Sequence, residues 1–157
     1  MLAFQKSALK DAKRLTELKI RTFDDDSRRF FHRPNGGPPG YDSIEFQRDL
    51  IMNHITYNIL WDSNIIGSIT ITDNGNFHYE LSTIFIIPEY QNKGIGQQAI
   101  LFIEQEFPDA KKWTLDTPST ATRNHYLYEK MGYTKVHEML IDKKTNLFLY
   151  FYEKMVS

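Results

Sequence analysis

Ile84-Phe85-Ile86-Ile87-Pro88-Glu89-Tyr90-Gln91-Asn92-Lys93-Gly94-Ile95-Gly96-Gln97 begins as a run of apolar residues and ends in two glycines one residue apart. The apolar run reads as a buried strand, and Pro88 as its stop, because proline cannot donate to a sheet ladder. Gly94 to Phe107 then reads as a helix, with Ile95, Ala99, Phe102 and Ile103 at helical spacing and Pro108 closing it. Where a helix begins, four backbone N–H groups lack intrahelical acceptors, and the helix dipole is positive there. Glycine lets a ligand's phosphates approach that backbone without a side chain in the way. Together these features make a phosphate cradle, and Lys93 adds a positive charge beside it. The stretch lacks the Gly-Lys-Ser/Thr of a Walker loop and the third glycine of a dinucleotide fingerprint. A glycine-containing turn that binds nothing is the competing reading.

Upstream of this stretch the sequence has the grammar of strands. Thr56 to Trp61, a turn at Asp62-Ser63-Asn64, and Ile65 to Thr72 predict a hairpin. Asp73-Asn74-Gly75-Asn76 is a second turn, leading into a long strand from Phe77 to Ile87. The chain opens with a short strand, Met1 to Lys6, and Ser7 as the N-cap of a helix carrying Ala8, Ala12, Leu15 and Leu18 on one side and ending near Phe23. Asp24 to Arg33 has no clean period and runs into the loop-forming Pro34-Asn35-Gly36-Gly37-Pro38-Pro39-Gly40. A second helix follows from Ser43 to Asn53. Downstream, Lys112 to Thr117 is a strand, and Ser119 or Thr120 caps a helix that Gly132 stops in a left-handed turn. Thr134 to Asp142 and Leu147 to Met155 form a final hairpin. With no repeat and no linker, residues 1–157 read as one mixed α/β domain.

Composition narrows the function classes. A hydrophobic content of 41% over 157 residues is enough for a core that needs no staple. The chain has 0 Cys, which removes disulfides, thiolate catalysis and thiolate metal sites, and fits a cytoplasmic setting. Net charge is -1 with both signs scattered, so the concentrated basic face of a nucleic-acid binder is missing. No apolar run approaches the roughly 20 residues of a membrane span, and the N-terminus lacks a signal-peptide pattern. Five histidines are dispersed, and His78-x-Glu80 lacks the cysteine pair of a zinc deaminase, so no metal site is expected.

Gln91-Asn92-Lys93-Gly94-Ile95-Gly96 resembles the Gln/Arg-x-x-Gly-x-Gly/Ala loop of the GNAT superfamily of N-acetyltransferases. The preceding Ile-Phe-Ile-Ile-Pro-Glu-Tyr is similar to the exit of that family's fourth strand. Leu127-Tyr128-Glu129-Lys130-Met131-Gly132-Tyr133 resembles its second recurring segment, a helix ending in Tyr-Glu-Lys-x-Gly-Phe/Tyr. The two motifs stand in the family's order, and the inferred elements match from end to end. The resemblance implies a mostly antiparallel twisted sheet of about seven strands with four helices, splayed between the fourth and fifth strands. It implies acetyl-CoA as co-substrate. The main-chain amides of Gln91, Asn92, Lys93, Gly94, Ile95, Gly96 and Gln97 would then hold the pyrophosphate. Phe85, Ile86 and Ile87 would offer the pantetheine an unpaired strand edge. Many family members carry Asn seven residues before the tyrosine. Here that position is Ala121, and Asn124 stands nearby as the substitute contact, with Lys130 as a candidate for a CoA phosphate.

Acetylating an alkylammonium raises two proton problems. The amine has a pKa of about 10 and must lose a proton before it attacks, and a thiolate of pKa about 8.5 leaves better when an acid meets it. In the resembled family a glutamate early in the long strand often acts as base through water, and here that residue is Glu80. Strand alternation puts it on the face of Ser82, Ile84 and Ile86. An ordinary solvated carboxylate is the alternative, and His78 is a second candidate base. Tyr128 occupies the family's thiolate-protonating position; a buried tyrosine capping the core is its bland reading.

The region between the first two helices usually shapes the acceptor pocket in this family. Asp24-Asp25-Asp26 and Phe30-Phe31-His32 would suit a cationic amine, although an acidic run is more often a solvated helix end. The expected partner is a small-molecule or peptide amine, with neither nucleic acid nor membrane. The apolar Leu147 to Tyr152 suits either the pairing edge of a homodimer or the sheet interior. A non-catalytic acyl-CoA-binding or regulatory module on the same fold is the competing function.

Overall fold

Five antiparallel pairings and one parallel pairing join seven strands in the order β1-β2-β3-β4-β5-β7-β6. The computed structural model describes residues 1–157. In chain order the elements are β1 (Leu2–Lys6), α1 (Ala12–Phe30), α2 (Ile44–Asn53), β2 (Ile55–Trp61), β3 (Asn64–Asp73), β4 (His78–Ile86), α3 (Ile95–Glu106), β5 (Lys112–Pro118), α4 (Thr122–Lys130), β6 (Thr134–Asp142) and β7 (Leu147–Met155). The parallel pair is β4 with β5, connected through α3. No helix is long and apolar enough to cross a membrane.

Cross-strand partners share a face of a sheet, so the ladders show which residues meet which helices. On one face Phe4, Tyr57, Ile59, Ile69, Ile71, Leu81 and Tyr79 lie under α3, with Phe4 stacked on Phe102 at 4.4 Å between ring centroids. On the other face Thr56, Asn58, Ser68 and Thr70 lie under α1 and α2, with Phe85 packed on Phe23 of α1.

β4 changes register midway. Thr70 opposes Thr83 but Ile71 opposes Leu81, which leaves Ser82 as an extra residue. Such a bulge bends its strand and increases the local twist. β4 pairs with β5 only at His78, Tyr79 and Glu80, and runs without a partner on that side afterwards. The splay therefore starts at the bulge. The extra residue also corrects simple alternation. Glu80 opposes Thr72 and so shares its face with Thr83 and Phe85, whereas Ile84 and Ile86 turn to the opposite face with Leu81.

Three local expectations also change. Ser7 does not cap a helix; it is buried and donates to Asn58 Oδ1 at 2.6 Å, and a 3-10 turn at Leu9–Asp11 precedes α1. Ala8 is exposed outside the helix. α1 continues to Phe30, beyond the apolar period that ends at Phe23. Its polar extension is held by side chains: Asp25 pairs with Arg29 at 3.2 Å, and Asp24 accepts from the Gly36 amide at 3.0 Å and the Tyr41 hydroxyl at 2.8 Å. At α4 the N-cap is Ala121, because the Ser119 hydroxyl is taken by the Phe148 amide at 3.0 Å. Finally, β7 lies inside the sheet and β6 is the edge.

Candidate active site

α3 begins at an unusual backbone. Gly94 caps it at φ 78°, a left-handed conformation that costs any other residue about 1–2 kcal/mol. A Cβ built there meets nothing within 4 Å, so the glycine borders open space. No main-chain carbonyl accepts from an amide between Gly94 and Gln97; the first helical bond is donated by Gln98 to Gly94 at 3.2 Å. Four amides at the positive end of a 12-residue helix thus face outward together. Gly96 has a different task, since its Cβ would stand 3.3 Å from Leu127 of α4. It lets α3 and α4 approach each other.

Opposite this loop runs the free edge of β4. The Ile87 amide donates to Ile66 on β3 at 2.9 Å, and main-chain polar groups alternate along a strand. Phe85 and Ile87 therefore direct their amides and carbonyls at β3, while those of Ile84 and Ile86 point into the splay. Gln91 already uses one of these groups: its Nε2 donates to the Ile86 carbonyl at 2.8 Å. Arg123 Nη1 in turn donates to Gln91 Oε1 at 2.8 Å, and its Nη2 to Asp26 Oδ1 at 3.4 Å. The guanidinium also lies 5.0 Å from the Phe30 ring centroid. This cluster ties the C-terminal part of α1 to the start of α4. Burial raises the Asp26 pKa, against the opposing charge of Arg123.

A cleft of ≈ 380 Å³ opens between these elements, a volume typical of small-molecule sites. Of the residues singled out from sequence, Phe85, Ile86, Gln91, Asn92, residues 94–97 and Asn124 line it. Asn124 lies at the cleft wall in the first turn of α4. Ile87 is buried behind the strand, Lys93 rests its amine 5.8 Å from the Tyr90 ring, and Lys130 is exposed in the last turn of α4. His78 is exposed at the start of β4, opposite Lys112.

Three titratable side chains stand near the β4–β5 junction, outside the residues that line the cleft. Glu80 accepts from Ser82 Oγ at 3.1 Å through Oε2, and its Oε1 has no hydrogen-bond partner. Asp116 lies on the same face of β5, two residues beyond Thr114, the partner of Glu80 in the parallel pair, and is largely exposed. Desolvation in the splay and the charge of Glu80 raise the Asp116 pKa. Tyr128 is 6% exposed, and burial, then the charge of Asp116, hold its pKa far above the ordinary phenol value. A phenol in that state keeps its proton at neutral pH and is available as a donor. Asp26 belongs to the acidic run that the sequence offered for a cationic acceptor, whereas Asp116 and Arg123 were not singled out. Asp116 is identified only by the register of β4 on β5, which no local pattern encodes. Arg123 had a fainter signal, as a cation next to Asn124, a few residues before the second motif. No group of three or more His, Cys, Asp or Glu is placed to hold a metal ion.

Comparison with known proteins agrees with this geometry. Residues 20–133 match the model of the Acetyltransferase (GNAT) family. Over 81 residues the chain is 33% identical to YrkN, an uncharacterized protein of Bacillus subtilis (strain 168); the match covers 50% of this chain and 44% of that protein, so less than half of the relative's length. The fold is similar to that of the ribosomal-protein-S18-alanine N-acetyltransferase from Escherichia coli, with TM-score 0.79 and 12% identity over 100% of this chain and 95% of the other. It is also similar to the PaiA N-acetyltransferase from Thermoplasma acidophilum, solved with coenzyme A, with TM-score 0.78 and 18% identity over 99% of each chain. A family match over most of the sequence, a β4–β5 splay and a glycine-led α3 with free amides agree: the chain belongs to the GNAT acetyltransferase family.

Proposed function

We propose that this protein is an N-acetyltransferase that moves an acetyl group from acetyl-CoA directly to a primary amine. The observation that carries the reading is the set of four unpartnered amides from Gly94 to Gln97, set beside the free edge of Ile84 and Ile86. The amides suit a diphosphate, and the edge suits the amide groups of a pantetheine arm. Arg123, the one cation lining the cleft, adds attraction for a polyanion.

Glu80 is the proposed base, with Oε1 free to accept the ammonium proton directly or through a water. Tyr128 is the proposed acid for the departing thiolate. Holding amine and thioester in the splay supplies the proximity term, which is worth several kcal/mol in favourable cases. Glu80, Asp116 and Asp26 together favour an acceptor that arrives as a cation. Asp24 is less available for that role, because the Gly36 amide and the Tyr41 hydroxyl both donate to its Oδ1. A cytoplasmic setting, which fits the lack of cysteine, belongs to the same proposal. So does a homodimer, for which the exposed Val136, Met139, Leu140 and Ile141 of β6 offer an apolar surface.

The decisive experiment offers acetyl-CoA and a panel of amines and reads free thiol. The expected result is thiol release with at least one primary amine, together with thermal protection by acetyl-CoA. At 100 times Kd that protection amounts to about 2.7 kcal/mol. Gly94→Glu, which puts a carboxylate into the cradle, should abolish both. Protection without thiol release from any amine would favour the non-catalytic acyl-CoA module. Protection that survives Gly94→Glu would show the cradle to be elsewhere.

A further inference from the structure

We propose that Glu80 discharges its proton through a relay of side chains, Ser82, Thr72 and His54, that runs across two strands to the end of α2, away from the splay. The inference rests on Glu80 being the base. Three hydrogen bonds define the path. Ser82 Oγ bonds Glu80 Oε2 at 3.1 Å, Thr72 Oγ1 bonds Ser82 Oγ at 2.5 Å, and His54 Nδ1 bonds Thr72 Oγ1 at 3.0 Å.

The fold sets this row. Thr72 of β3 opposes Glu80 of β4, and His54 is the C-cap of α2, one residue before the β2–β3 ladder begins at Ile55↔Ile71. All of these side chains lie on the face covered by α1 and α2. The bulge supplies the missing link. It adds Ser82 to β4, and Ser82 spans the gap between the carboxylate and Thr72. Of the neighbouring hydroxyls on this face, Ser68 and Thr83 bury theirs without a partner, and the Thr56–Thr70 pair ends at the Leu50 carbonyl without reaching a titratable group.

Acetyl transfer to an ammonium at neutral pH liberates one net proton. The ammonium loses two hydrogens; one ends on the thiol and the other must leave. Once Glu80 has taken that second proton and its carboxyl has turned to bring the protonated oxygen to Ser82, its O–H donates to Ser82 Oγ, Ser82 donates to Thr72 Oγ1, and Thr72 donates to His54 Nδ1. One proton then shifts along each bond. The Glu80 carboxylate is restored, both hydroxyls are regenerated pointing the other way, and His54 becomes an imidazolium. Each hydroxyl has a single proton, so the discharged state has one polarity only: His54 to Thr72, Thr72 to Ser82, Ser82 to Glu80. The Ser82-to-Glu80 bond has that polarity. His54 is half-buried between exposed Asn53 and the sheet, where its Nε2 proton can pass to solvent. Histidine suits the last position because its ordinary pKa lies near neutrality. Neither Glu80 nor His54 is in an ion pair, so no fixed counter-charge pins the proton at either end.

The test is the steady-state rate of thiol release over many turnovers, in buffer too dilute to carry the proton, because Glu80 must discharge before each new turnover. Thr72→Val removes the middle hydroxyl at nearly constant volume, and His54→Gln removes the terminal base. Each should slow release roughly tenfold, with acetyl-CoA protection unchanged. The double variant should be no slower than either single one. Added imidazole should restore much of the rate in His54→Gln, and Thr72→Ser should recover what Thr72→Val loses. A wild-type rate in either single variant, losses that multiply in the double, or no recovery in Thr72→Ser would each overturn the relay. Glu80→Gln separates this proposal from the reading beneath it. If that variant releases thiol normally, the base assignment fails and the relay with it. If it is inactive while Thr72→Val is unimpaired, only the relay fails.

Discussion

The two faces of the sheet are built on different terms. Under α3 the buried residues are apolar and mutually packed: Ile59, Ile69, Ile71 and Leu81 meet Ala99, Ile100 and Ile103, all within 3% exposure. Under α1 and α2 the sheet contributes Thr56, Asn58, Ser68 and Thr70 at 2% exposure or less. Of the seven buried side-chain atoms without a hydrogen-bond partner, five belong to Thr22, Gln47, Ser68 and Thr83 on this side. An unpaired buried polar group typically costs about 1–3 kcal/mol, so the face under α1 and α2 contributes less to stability. The face under α3 and α4 carries the main-chain cradle, which needs a rigid support. The face under α1 and α2 carries Glu80 and its hydrogen-bonded row, and its excess polarity is what a site for an acceptor would need. Stability and side-chain chemistry are thus divided between the faces.

The largest test of that division is Tyr128, which approaches the splay from the apolar face. Tyr128→Phe should lower kcat roughly a hundredfold if the phenol protonates the thiolate, with little change in the KM for acetyl-CoA. Because its hydroxyl makes no hydrogen bond in the fold, the same variant should keep its melting temperature. A variant that melts early with kcat intact would make Tyr128 a core residue and leave the apolar face without a catalytic group.

Arg123 joins the two faces, through Gln91 on one side and Asp26 on the other. Arg123→Ala should weaken acetyl-CoA binding by roughly tenfold and make it less sensitive to salt, as expected when a cation is removed from a polyanion site. The Asp26 pKa, already raised by burial, should rise further once the opposing charge is gone, which a carboxyl NMR titration would detect. Unchanged affinity would mean that Arg123 serves only to bridge α1 and α4. That bridge is partly exposed, so its loss should cost no more than about 1 kcal/mol.

The glycine-led start of α3, with its free amides, was legible in the sequence because it is made by local rules. A strand stop at Pro88, a polar turn and Gly94 before an amphipathic run are all neighbours in the chain, and α3 falls where the spacing places it. The last hairpin, Thr134 to Asp142 and Leu147 to Met155, was legible for the same reason. The acceptor side was not, because its geometry depends on long-range register. One extra residue, Ser82, reverses which side chains accompany Glu80, and Asp116 joins the site only through the pairing of Glu80 with Thr114. The length of α1 was hidden as well. Asp24 to Arg29 has no apolar period, and its helicity depends on contacts to Gly36 and Tyr41 in the following loop.

The smallest expected effect concerns Lys19, which sits on α1 over the polar face. It is 3% exposed, no carboxylate pairs with it, and burial lowers its pKa from 10.5 to about 8. At pH 7 the folded and unfolded chains both hold the proton, so the folded chain carries the full penalty of a buried charge. Between about pH 8 and 10.5 the folded chain loses its proton first. The unfolded chain then binds more protons, and stability rises with pH across that window. Lys19→Met keeps the length of the side chain and removes the charge. It should raise the melting temperature at pH 7 by several degrees, with the gain shrinking as the pH approaches 10.5. Thermal melts at pH 7 and pH 10 measure both the gain and its decline. A variant less stable than wild type at pH 7 would mean that the amine has an anionic partner in solution, and the polar face would then be better satisfied than its hydrogen bonds suggest.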